Sequence, residues 1–105
     1  MLRGDELMRK RELFLYHLYE QGAIAPNSAM NAVVLQGEVG VNDQDFESLY
    51  LSLHGAGLVR GRPSGILYLT DLGLREASAI VQAVRNTAEQ ASTRPIGFSL
   101  PNKNE

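Results

Sequence analysis

Phe46, Leu49, Tyr50 and Leu53 fall at i, i+3, i+4 and i+7, so the segment from Asn42 to His54 predicts a helix with one apolar face. Asn42 is placed to cap it. Asp43, Asp45 and Glu47 load its first turns with negative charge, which suits the positive end of a helix dipole. Gly55-Ala56-Gly57 ends it. Leu58-Val59-Arg60 and Ile66-Leu67-Tyr68-Leu69 then predict two short strands, joined by Gly61-Arg62-Pro63-Ser64-Gly65, whose glycines and proline suit a hairpin turn.

On either side of this stretch the apolar positions predict longer helices. The first runs from about Asp5 to Gln21, with Leu7, Phe14, Leu15 and Leu18 on one face, and it closes at Gly22. Leu13 and Tyr16 point elsewhere and give this helix a second apolar face, to be covered by another layer of the same monomer or by a partner subunit. Ala23-Ile24-Ala25-Pro26 predicts a short first strand. Asn27 or Ser28 then caps a second helix that carries Met30, Val33 and Val34 to about Gln36. The last helix starts at Thr70, whose hydroxyl can cap it, and continues to about Ala91. Within it Leu74, Ala77, Val81, Val84, Ala88 and Ala91 are spaced 3, 4, 3, 4, 3, the seam of a coiled coil, and are the expected dimerisation residues. Residues 1–91 therefore form one folded unit ending in a dimerisation helix. Residues 92–105 form an extended tail, in which Ile96, Phe98 and Leu100 alternate with Gly97 and Ser99. The expected class is mainly α with a small antiparallel β-hairpin and a long C-terminal helix.

At 105 residues such a chain buries a single core without staples. It contains no cysteine and only His17 and His54 as histidines, which leaves no thiolate metal site and points to no metal or cofactor. The charged start, Met1 to Lys10, and the lack of any apolar run long enough to span a bilayer point to a soluble, cytoplasmic protein without membrane contact. Asp43 and Asp45 have no neighbouring histidine, cysteine or nucleophile, so the pair does not suggest an enzyme. Tyr50 and Tyr68 are expected as core aromatics, and His54 at a helix C-terminus.

Gly40-Val41, Leu53-His54-Gly55-Ala56-Gly57-Leu58-Val59 and Leu69-Thr70-Asp71-Leu72-Gly73 together resemble winged helix-turn-helix regulators of the MarR and PadR kind. The resemblance implies that the helix from Asn42 to His54 is a recognition helix and that the hairpin is a wing. On that reading Gln44, Glu47, Ser48, Leu51 and Ser52 face double-stranded DNA, with Arg60, Arg62 and Ser64 of the wing beside them. Gln44 suits adenine, Glu47 a cytosine amino group and Leu51 a thymine methyl. The expected function is a dimeric, DNA-binding transcriptional regulator.

Charge changes that picture. The net charge is -2. From Ala23 through Glu47 there are four acids, Glu38, Asp43, Asp45 and Glu47, and no Lys or Arg. From Ser48 through Thr70 the only charged residues besides His54 are Arg60 and Arg62, so cations on the DNA face are confined to the wing, apart from Arg3, Arg9, Lys10 and Arg11 near the start. Phosphate contacts supply much of the affinity for DNA. A winged-helix adaptor that meets a protein through the acidic third helix, Leu51 and the C-terminal tail is the alternative.

Overall fold

The computed structural model of the chain describes residues 3–93, and the side chains as far as Thr87. The tail with Ile96, Phe98 and Leu100 lies outside the described residues, as do the side chains of Ala88 and Ala91. In chain order the elements are α1 (Gly4–Glu20), a 3-10 turn (Pro26–Ser28), β1 (Met30–Asn31), α2 (Ala32–Val39), α3 (Asp43–Gly55), β2 (Val59–Gly61), β3 (Ile66–Leu69) and α4 (Asp71–Thr93). The molecule is mainly helical, with one small antiparallel sheet of order β1-β3-β2. Met30 pairs with Leu67, Val59 with Leu69 and Arg60 with Tyr68.

Every helix and strand sends residues into one core. Phe14, Leu15 and Leu18 come from α1, Leu35 and Val39 from α2, Phe46, Leu49 and Leu53 from α3, and Val59, Leu67 and Leu69 from the sheet. Phe14 and Phe46 stack with ring centroids 5.3 Å apart, joining α1 to α3. Each large side chain taken from water contributes roughly 1.5–3 kcal/mol before entropy is counted.

The start of α4 is tied to the segment between α3 and β2. The Thr70 hydroxyl donates to the Gly57 carbonyl and accepts from the Gly73 amide at 3.0 Å, so Thr70 caps the helix as its sequence suggests. Gly73 sits so close to the strand that a Cβ on it would overlap the Leu58 carbonyl oxygen. The hairpin needs Gly61 on two counts: its φ of +107° lies where side chains are strained, and a Cβ on it would overlap the Ile66 carbonyl oxygen.

Two expectations are corrected. Residues 23–26 do not form the first strand: Pro26 opens a 3-10 turn, and the strand lies later, at Met30–Asn31. Proline has no amide to donate and suits the first position of such a turn. The cap of α2 is accordingly neither Asn27 nor Ser28 but Asn31, whose side chain accepts from the Val33 amide at 2.8 Å and the Val34 amide at 3.3 Å. That shift puts Met30 in β1 and turns Ala32, Leu35 and Val39 inward, leaving Val33 and Val34 exposed.

The monomer uses part of the seam of α4 for itself. Ala77 and Val81 are buried, and Leu74 packs against the same core. The Leu69 amide donates to the Ala23 carbonyl at 2.7 Å, which brings the end of α1 to the start of α4, and the two helices pack along each other. Ala77 and Val81 are thus covered within the monomer. Val84, farther along, is 53% exposed.

Candidate interaction surface of α2, α3 and the hairpin

The outward side of α3 is set by its inward one. Because Phe46, Leu49, Tyr50 and Leu53 are buried, Gln44, Glu47, Ser48, Leu51 and Ser52 face solvent, and Leu51 is 60% exposed. The Asn42 side chain accepts from the Asp45 amide at 2.8 Å and fixes the first turn. A hydrogen bond ties the hairpin to the helix, where the Tyr50 hydroxyl donates to the Gly61 carbonyl at 2.7 Å. Tyr50 and His54 lie with ring centroids 5.3 Å apart, Tyr50 nearly buried and His54 exposed at the end of the helix.

A groove of about 220 Å³ opens where α2, the first turns of α3 and the hairpin tip converge, lined by Gln36, Asp43, Phe46, Glu47, Pro63 and Ser64. The Gln36 side-chain amide donates to the Asp43 carboxylate at 2.8 Å and to the Val41 carbonyl at 3.2 Å, so it fixes both the connection between the helices and the carboxylate. Glu47 of α3 and Ser64 of the hairpin tip both line it.

The hairpin arginines are both on the outside of the molecule. Arg60, paired with Tyr68 on β3, lines a different and larger groove of about 440 Å³ together with Ile24, Tyr68, Asp71 and Leu72. Nearer the N-terminus, Lys10 is committed: its ammonium donates to the Val39 carbonyl at 3.0 Å, a cation at the negative end of α2. Arg11 is half-buried.

From Glu12 to Val59 the chain contains no Lys or Arg. The surface built by α2 and α3 therefore carries the exposed acids Glu38, Asp43 and Glu47 beside the exposed apolar residues Val33 (75%), Val34 (53%) and Leu51. Such a surface repels phosphate and favours a partner with cations and apolar side chains. Val33, Val34 and Gln36 belong to it, although the sequence pattern placed them on the second helix without assigning them to a binding face. The available signal was Asn31, a favoured cap that sets Ala32, Leu35 and Val39 at i, i+3 and i+7.

Among the described residues no group of three or more histidines, cysteines or carboxylates is placed to hold a metal ion. No described helix is long and apolar enough to cross a membrane. No family model matches the chain, and no curated protein or solved structure matches it.

Proposed function

We propose that the chain is a winged helix-turn-helix domain of the MarR and PadR kind that acts in the cytoplasm as a protein-binding adaptor through the α2–α3 surface. The order α1, β1, α2, α3, β2, β3, α4, with β3 between the other strands, supports the winged-helix assignment. The observation that carries the adaptor function is the composition of the face a winged helix would lay on DNA: exposed Val33, Val34 and Leu51 among exposed acids, with no Lys or Arg from Glu12 to Val59. Apolar side chains at the centre of such a patch supply affinity, and the charges around them select the partner.

Replacing Leu51 with Asp is expected to lower capture of the cellular partner at least about tenfold, because a truncated or charged anchor at an interface centre costs on the order of 2 kcal/mol or more. Quantitative pull-down from nuclease-treated lysate measures it, with circular dichroism showing that the variant remains folded. Unchanged capture by the folded variant would remove the reading.

DNA binding is the second reading, favoured by Arg60 and Arg62 standing on the outside of the hairpin. It requires a dimer, so that two hairpins supply the cations and Gln44 and Ser48 read bases. The outer end of α1 and α4, with exposed Leu7, Met8 and Val84, offers the apolar surface for that dimer. A random-duplex selection at low salt that retains a sequence, with retention lost in Arg60→Ala and Arg62→Ala, would establish this reading over the adaptor.

A further inference from the structure

The groove between α2, α3 and the hairpin tip has a chemistry narrower than that of the surface around it. Asp43 and Glu47 stand one helical turn apart on α3, on either side of the nearly buried Phe46, and Pro63 and Ser64 face them from the hairpin. At about 220 Å³ the groove falls below the roughly 300 Å³ at which small-molecule sites begin. It suits a single long side chain. No Lys or Arg is among its lining residues, so the carboxylates are not answered from within the groove. A carboxylate offers about four acceptor sites, and Gln36 occupies one on Asp43 while holding it in place. Val33 lies one turn before Gln36 on α2, and Leu51 one turn after Glu47 on α3, so exposed apolar positions flank the groove along both helices.

We propose that this groove receives an arginine side chain from a partner protein, its guanidinium bridging Asp43 and Glu47 while apolar neighbours of that arginine rest on Val33 and Leu51. This inference rests on the adaptor reading above. Arginine fits better than lysine because its planar fork can serve two carboxylates at once, whereas an ammonium is a strongly hydrated point charge. A phosphate backbone is excluded from the same place by the two carboxylates, which would meet it with like charge.

The test uses the full chain and a short fluorescein-labelled peptide that alternates arginine with leucine and alanine, compared with its lysine and citrulline counterparts by fluorescence anisotropy. The arginine peptide should bind most tightly and the neutral citrulline peptide at least about tenfold more weakly. The double variant Asp43→Asn, Glu47→Gln should lose at least about tenfold in affinity for the arginine peptide. It keeps an acceptor for Gln36, and a thermal melt checks its fold. The control Asp5→Asn, Glu6→Gln removes the same charge from α1 and should change affinity less than about twofold. Amide chemical shifts of Gln36, Phe46 and Ser64 should move on titration. Equal loss in both double variants, equal binding of the citrulline peptide, or shifts confined to another face would each overturn the groove, as would a DNA duplex displacing the peptide there. If Leu51→Asp abolishes capture of the cellular partner while Asp43→Asn, Glu47→Gln leaves it intact, the adaptor reading stands and the arginine groove is wrong.

Discussion

Gly73 shows how one residue couples two parts of the molecule. It lies in the first turn of α4, where the Thr70 hydroxyl and the Thr70 amide, which donates to the Leu58 carbonyl at 3.0 Å, tie the helix to the entry of β2. A methyl group at Gly73 would have to displace backbone at Leu58, not a flexible side chain. Gly73→Ala is therefore expected to destabilise the fold by about 1–3 kcal/mol, the range found for overpacking, as measured by urea unfolding. Gly65, with nothing within 4 Å of its would-be Cβ, is the control: Gly65→Ala should shift the midpoint little. The Leu-Thr-Asp-Leu-Gly run was legible as a helix start. That its glycine meets Leu58 was not, because the contact joins residues whose approach depends on the finished fold.

Among the elements, α3 and α2 mark the two limits of what pattern reveals. In α3 the cap, the acidic first turn, four apolar residues at one spacing and the closing glycines all agree, and the helix spans Asp43–Gly55 with that face buried. α2 is eight residues long and apolar around much of its circumference, so its spacing does not choose a face. Its orientation is chosen by the pairing of Met30 with Leu67, by the Asn31 cap and by Lys10 at its far end. Both caps should matter locally: Asn42→Ala and Asn31→Ala are each expected to cost about 1 kcal/mol of unfolding free energy. Hydrogen exchange distinguishes them. Asn42→Ala should loosen the amides of the first turn of α3, and Asn31→Ala those of α2, with no exchange of effects between the two. A cap variant that leaves both stability and local protection unchanged would show that the side-chain bonds of Asn31 or Asn42 contribute nothing in solution.

At the scale of the whole molecule, α4 divides its seam between core and surface. Val81 is 2% exposed and Val84 is 53% exposed, although the heptad treats them alike. Substituting Glu for Val81 should unfold or strongly destabilise the chain, since a buried unpaired charge is costly. Glu for Val84 should leave the fold intact and, if the outer end of α1 and α4 forms the proposed homodimer, convert it to monomer in analytical ultracentrifugation. A Val84→Glu chain with the oligomeric state of the unaltered one would exclude Val84 from any subunit contact. Charge is distributed at the same scale: α1 and α4 expose acids (Asp5, Glu6, Glu12, Glu20, Asp71, Glu76) together with Arg9, Arg75 and Arg85, whereas the acids of α2 and α3 have no Lys or Arg on either helix.

The sequence by itself determined the four helices, the hairpin, the inward face of α3, the capping roles of Asn42 and Thr70, and the lack of cations around α3. These follow from spacing and composition within a few turns of chain. Only the tertiary structure decided that Ala77 and Val81 serve the monomer, that Lys10 is spent on the end of α2, that Arg60 lines a different groove from Glu47, and that Val33 and Val34 reach solvent. Each of those depends on which distant element covers a residue. A local pattern records that an apolar face needs cover, whereas the packing of α1, α4 and the sheet determines what supplies it.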